Sequence, residues 1–165
     1  MKIRISYFYQ IRNFLKNMIP VSTAMWDPQW YHNGQGPQHI FIDKRGIING
    51  LRIEPLINLI EGEAGCPCIN KDPTKCEFIK KYRQSLEKAN FEKIIKELNR
   101  YAEEYKKLNN IQEEIIIVLI VYETPTNPCS ERAGLIDYFT SHGIECKELD
   151  YPIQKLNINK GEFKF

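Results

Sequence analysis

Long hydrophobic runs are missing from this sequence of 165 residues, and so is a strong charge of either sign. No stretch approaches the roughly 20 consecutive apolar residues that a membrane-spanning helix needs. The formal net charge is only +2, and the basic residues are spread along the chain instead of forming blocks. The sequence therefore gives no support for a membrane protein or for a large basic surface that would attract nucleic acid.

A disulfide framework and an export signal are also missing. The five cysteines are an odd number, and residues 1–8 alternate charged and apolar side chains as a strand does, unlike a signal peptide. We therefore expect a cytoplasmic protein with reduced cysteines. Internal repeats and low-complexity segments are absent, and the apolar content of 42% is typical of one globular domain over residues 1–165.

The clearest structural signal is the unbroken aliphatic run at residues 115–121, IIIVLIV. Such a run is typical of a strand that is buried on both faces, as in the centre of a parallel sheet. Further strand patterns occur at 3–8, 18–26 and 144–149, and helical periodicity occurs at 9–17, 74–108 and 133–141. Asn90 is the predicted cap between two helices in the longest of these regions.

The alternation of strands and helices predicts a three-layer α/β domain with a mostly parallel central sheet and flanking helices. A loop-rich, cysteine-containing insertion is expected at about residues 28–76. In such folds, ligands bind beyond the carboxyl ends of the strands. Reactive and binding side chains follow the predicted strands here. The catalytic candidates are Glu123, Cys129 and Asp27, and the ligand-binding candidates are Tyr7, Arg12, Ser22, Trp26, Trp30, Ser130 and Arg132.

The segment CSER at residues 129–132 directly precedes a predicted helix. Unpaired backbone N–H groups at a helix start bind anions, and the forked guanidinium of Arg132 would add a grip on phosphate or carboxylate. A nearby arginine and helix start would favour the thiolate of Cys129, which makes it a candidate nucleophile. The alternative is that Ser130 caps the helix while Glu131 complements its dipole.

Glu123, at the end of the aliphatic run, is a candidate general base, or it orients Arg12 or Arg132 through a salt bridge. Asp27 is a second candidate base. Aromatic residues beside arginine would suit a flat ring attached to an anion, such as a nucleobase with its phosphate. The alternative for each aromatic residue is an ordinary place in the core.

The cysteines of the insertion are candidate zinc ligands. Structural zinc takes four ligands, commonly from Cys-x₂₋₄-Cys pairs, but here one spacer is a single residue. The alternative is a turn with small buried cysteines. The three candidates are Cys66, Cys68 and Cys76, and the fourth ligand would be Cys129, His32 or His39.

Several short motifs resemble the DUF488 family, whose function is not assigned. They are YFYQIRN at 7–13, IPVS at 19–22, the CEF of 76–78 with its following helix, and LIVYE at 119–123 with Cys129 and Arg132. The resemblance implies an α/β fold and a site that contains Arg12, Glu123, Cys129 and Arg132, without implying a reaction. The family's Cys-His-Arg reads Cys-Ser-Glu-Arg here, so a mechanism that needs its histidine does not transfer.

Together, these features predict that the strand ends bind a phosphorylated ligand, nucleotide-like or derived from nucleic acid. If the protein is an enzyme, hydrolysis or group transfer is expected. The alternative hypothesis is a non-catalytic protein-interaction module that docks a partner on the loop containing Trp30 and Tyr31.

Overall fold

A computed structural model describes residues 1–23, 28–32, 72–127 and 129–150, with Trp30 and His32 described by their backbone alone. In this part of the chain, four parallel strands form one sheet in the order β2-β3-β1-β4. The strands are β1 (Lys2–Tyr7), β2 (Met18–Ser22), β3 (Ile116–Val121) and β4 (Cys146–Glu148). The parallel sheet confirms the predicted α/β class.

The aliphatic run forms β3, which pairs with β1 on one side and with β2 on the other. Both neighbours run in the same direction, so Val121 lies beside Tyr7 and Ile120 lies beside Ser22. From Ile117 onwards every residue of β3 is buried, because both faces of the sheet are covered.

Each of the three connections between successive strands contains at least one helical segment among the described residues. The 3-10 helices are Phe8–Asn13 and Pro73–Lys75, and the α-helices are α1 (Gln29–His32), α2 (Glu77–Leu86), α3 (Phe91–Leu108) and α4 (Glu131–Ser141). Asn90 caps α3, since its side chain accepts the N–H of Lys93 at 2.9 Å. The predicted division of the long helical region at Asn90 is therefore confirmed.

Alternate residues of β3 face two separate apolar cores, which makes the domain three-layered. On one face, Ile117, Leu119 and Val121 pack in a core shared with the three long helices. On the other face, Val118 and Ile120 pack in a smaller core with residues of the first 3-10 helix and its flank. Members of the large core include Tyr82, Leu98, Leu135 and Phe139, and members of the small core include Phe8, Ile11 and Phe14.

Helix α4 lies very close to α2 in the large core. A Cβ atom built on Gly134 would lie 2.9 Å from Cδ1 of the buried Tyr82 ring, so the absence of a side chain at this position permits the approach. On the outer side of this contact, Arg83 of α2 pairs with Asp137 of α4 at 2.5 Å and donates to the Ser141 hydroxyl at 2.9 Å. The two helices therefore form a closely packed unit beside the sheet.

The observed element boundaries differ from the predicted ones at several described places; for example, β4 is Cys146–Glu148 instead of 144–149. The predicted helix at 9–17 is a 3-10 helix that ends at Asn13, and α4 begins at Glu131 instead of 133. Most of the predicted insertion and the segment 24–27 lie outside the described residues. Over the described ranges, no helix has both the length and the apolar character needed to cross a bilayer.

Candidate functional site

The four described strands end at one edge of the sheet, as the sequence predicted. Tyr7, Ser22 and Glu148 are the last residues of β1, β2 and β4, and Glu123 follows the end of β3 by two residues. We call this the carboxyl edge. Thr23, next to Ser22, is fixed there because its N–H and its hydroxyl both donate to the carbonyl of Ile120, at 2.9 and 3.0 Å.

Arg132 lies at the carboxyl edge and is 4% exposed. Its Nε donates to Oε1 of Glu148 at 2.5 Å, and its Nη2 donates to the carbonyl of Glu123 at 2.7 Å. Its Nη1 donates to the carbonyls of Thr124 and Asn127, at 2.5 and 3.3 Å. The guanidinium thus joins the loop between β3 and α4 to the end of β4.

These contacts change the role of Arg132 from the one that the sequence suggested. Four of the five guanidinium N–H groups already donate to protein oxygens and the side chain is almost fully buried, so little of it is available to hold a ligand anion. The acidic partner of Arg132 is Glu148, and Glu123 contributes its backbone carbonyl instead of its carboxylate. The geometry therefore favours a structural role for this arginine.

Arg12 and Arg132 are carried by elements on opposite faces of the sheet. Arg12 belongs to the 3-10 helix whose buried residues enter the small core, whereas α4 packs in the large core. The Nε of Arg12 donates to the carbonyl of Tyr9 at 2.9 Å, and its guanidinium lies over the Tyr9 ring. These contacts give no support to a shared grip by both arginines on one anion.

Two carboxyl groups meet where β3 ends and α4 begins. Glu131, the first residue of α4, is 7% exposed, and Glu123 is half-buried. The Oε2 atoms of both residues are buried and accept no hydrogen bond from any other described group, and the two carboxyl groups are hydrogen-bonded to each other. Burial, and secondarily the nearby charge of Glu123, raise the pKa of Glu131 from 4.5 to about 8. The raised pKa favours the protonated carboxylic acid form of Glu131 at neutral pH.

The beginning of α4 is satisfied by its own residues. The Ser130 hydroxyl accepts the N–H of Arg132 at 3.3 Å, which confirms the prediction that Ser130 caps this helix. The carboxyl of Glu131 accepts its own backbone N–H, and this bond and the charge of Arg132 both oppose the rise in its pKa. Burial outweighs both, so the pKa of Glu131 is raised although the residue lies in the first turn of α4, where its carboxyl group can complement the helix dipole.

The remaining described candidates are Tyr7, Ser22 and Cys129. The Tyr7 hydroxyl accepts from Nε2 of Gln10 at 2.9 Å. Cys129 is 6% exposed and donates its N–H to Oδ1 of Asn127 at 3.2 Å. Ser22 is 1% exposed. All three lie in or directly beside the carboxyl edge, but Ser22 and Cys129 are enclosed by protein.

Tyr31 packs against the small core, so its side chain is half-buried. Its ring packs edge-on against Phe8 with centroids 5.4 Å apart, and its hydroxyl donates to the carbonyl of Pro20 at 3.1 Å. A half-buried residue that is fixed in this way offers little surface to a partner. The structure does not describe the side chain of Trp30, so docking of a partner on this residue stays a prediction.

Part of the predicted site also lies outside the described residues. Cys76 is buried at the N-cap position of α2, and within the described ranges no group of three or more residues has the composition of a metal site. The zinc site therefore stays a prediction. The candidates that the structure does not describe are Trp26, Asp27, Cys66 and Cys68.

The sequence analysis did not predict the burial of Glu131, although a signal for it was present. With a helix that begins at 131, Glu131 lies on the same stripe as Leu135 and Tyr138, which are both buried. The apolar pattern suggested a start at 133, which left Glu131 outside the stripe. Placing the cap at Ser130 and continuing the helical period would have identified a carboxyl group on a buried face.

Comparisons of the chain with protein-family models, with curated proteins and with solved structures gave no match. The resemblance to the DUF488 family therefore stays a prediction.

Proposed function

We propose that the carboxyl edge is a general acid–base site, in which Glu131 donates a proton and Glu123 is its partner. The substrate class we propose is the phosphorylated ligand predicted from the sequence, nucleotide-like or derived from nucleic acid. The reaction would be hydrolysis or group transfer. In either reaction the oxygen or nitrogen of the leaving group must gain a proton, which a carboxylic acid can supply.

The single observation that carries this proposal is the buried pair of carboxyl groups, Glu123 and Glu131, whose Oε2 atoms accept no hydrogen bond from any other described group. Buried polar groups are nearly always hydrogen-bonded, and adjacent carboxyl groups destabilise each other when both are ionised. An arrangement that is unfavourable for folding is typical of a functional site, where acids and bases need shifted pKa values.

The location of the pair is a second support for the proposal. In sheets of parallel strands, ligands bind beyond the carboxyl ends, and Glu123 follows the central strand β3 at this edge. An acid whose pKa is about 8 keeps its proton at neutral pH and is still able to release it to a substrate. Cys129 receives no chemical step in this proposal.

A ligand screen tests the proposal. Nucleotides, sugar phosphates and short oligonucleotides are added to the wild type, to Glu131→Gln and to Glu77→Gln, and the ligand-induced change in melting temperature is measured for each. Glu77 is a matched control, since it is also the first residue of a helix but is exposed. We expect at least one class to stabilise the wild type and Glu77→Gln, and to be turned over by both.

Glu131→Gln is expected to lose the turnover, because glutamine cannot donate a proton at any pH of the assay. In the wild type, the rate is expected to fall as the pH rises through about 8, where Glu131 loses its proton. Equal turnover by the wild type and Glu131→Gln, or no response of the wild type to any of these classes, would contradict the proposal.

A further inference from the structure

Arg132 is placed to control the geometry of the carboxyl pair. It follows Glu131 directly in α4, and its Nη2 donates to the backbone carbonyl of Glu123 at 2.7 Å. It is therefore attached to both members of the pair, to one through the chain and to the other through a charge-assisted hydrogen bond.

The loop that Arg132 holds has few other internal bonds. Thr124, Pro125 and Thr126 are exposed. The other described bonds within the loop run from the Asn127 N–H to the Thr124 carbonyl at 3.0 Å, from the Cys129 N–H to Oδ1 of Asn127 at 3.2 Å, and between the two threonine hydroxyls. The guanidinium supplies donors to three carbonyls of this segment. Only arginine provides so many donors in one plane, so lysine cannot reproduce the arrangement.

Glu148, the acidic partner of Arg132, also has a fixed position. Glu148 accepts from Nε at 2.5 Å and is the last residue of β4, which pairs with β1 in the sheet. Burial raises the pKa of Glu148, whereas the charge of Arg132 and its hydrogen bond lower it. Arg132 is thus anchored to the sheet on one side and to the loop on the other.

We infer that Arg132 is a positioning residue, which holds the loop between β3 and α4 so that the carboxyl groups of Glu123 and Glu131 face each other away from water. The inference rests on the proposed function in one respect, since it takes Glu123 and Glu131 to be the acid–base pair of the site. It replaces the role of anion ligand that the sequence suggested for Arg132.

The charged and polar groups around Glu131 make the inference testable without a ligand. The charge of Glu123 raises the pKa of Glu131, and the charge of Arg132 lowers it. Removing the positive charge alone would therefore raise this pKa further. Opening the loop and letting water reach the pair would lower it, because burial is the largest cause of the shift.

The experiment measures the titration midpoint of Glu131 by carbon NMR of its carboxyl group in the full chain, with the signal assigned by its loss in Glu131→Gln. Arg132→Lys keeps the positive charge and removes the forked contacts. We expect its midpoint to fall by about one pH unit or more relative to wild type. We also expect faster hydrogen exchange at the N–H of Asn127, which bonds within the loop.

Arg83→Lys is the matched control. Arg83 is also a partly buried arginine that joins two elements, but its partners are Asp137, Glu87 and Ser141, none of which is in the loop. This variant is expected to lose stability and to keep the wild-type midpoint. A midpoint that is unchanged or raised in Arg132→Lys would overturn the inference. A wild-type midpoint near 4.5 would instead overturn the proposed function, so the two failures are distinguishable.

Discussion

Replacing Glu131 with glutamine is expected to stabilise the folded chain at neutral pH. Glutamine has the same shape as glutamic acid and stays uncharged at every pH. In the folded wild type, burial and the nearby charge of Glu123 raise the pKa of Glu131 from 4.5 to about 8. In the unfolded chain the residue is in water and keeps its ordinary pKa, so the two states bind different numbers of protons between these values.

The sign of the effect follows from this difference. Below about pH 4.5 both states are protonated at Glu131, and the residue does not favour unfolding. As the pH rises, the unfolded chain ionises while the folded chain stays protonated, so the free energy of unfolding falls until the pH passes about 8. One pKa unit corresponds to about 1.4 kcal/mol, so the loss at pH 7 is on the order of 3 kcal/mol. Glu131→Gln should recover most of it.

Urea unfolding followed by circular dichroism at several pH values between 4 and 9 measures this effect. We expect wild type and Glu131→Gln to have similar stability near pH 4 and to diverge as the pH rises. In Glu77→Gln, the loss of a favourable charge at the start of α2 is expected to reduce stability by about 0.5 kcal/mol, without this divergence. Parallel profiles for wild type and Glu131→Gln from pH 5 to pH 8 would refute the reasoning.

The remaining predictions concern the packing and the start of α4. Gly134→Ala is expected to destabilise by about 1–3 kcal/mol in urea unfolding, because its Cβ would lie 2.9 Å from the Tyr82 ring; no loss would contradict the close packing of α2 and α4. Gly143→Ala is expected to cost about 1 kcal/mol for another reason, its φ of 80°, and a neutral effect would contradict that backbone assignment. Ser130→Ala should cost about 1 kcal/mol, similar to Asn90→Ala at the cap of α3, and a loss at Asn90 alone would contradict the capping role of Ser130.

The fold class was predictable because it depends on short-range patterns. The aliphatic run of β3 has no polar residue, so it fits only a strand that is covered on both faces. The cap at Asn90 is a local feature too, since one side chain and an N–H three residues later suffice to form it. Both features can be recognised without knowing what lies opposite them.

The arrangement at the carboxyl edge was less predictable because it depends on what each side chain meets. An arginine in the first turn of a helix is equally compatible with binding a ligand and with binding its own loop. Only the positions of the carbonyls of Glu123, Thr124 and Asn127 decide between the two roles for Arg132. In the same way, Glu77 and Glu131 occupy equivalent helix positions, but one is exposed and the other is buried.

The stability effect and the functional effect of Glu131→Gln are expected to have opposite signs, and this contrast separates a working acid from a structural one. Replacing a carboxyl group that only supported the fold would be expected to reduce both the stability and the ligand response. Replacing a catalytic acid that is buried in an unfavourable environment would be expected to increase stability and to remove turnover. If Glu131→Gln gains stability and keeps full turnover, the buried carboxyl pair takes no part in the reaction, and the catalytic residues lie elsewhere in the chain.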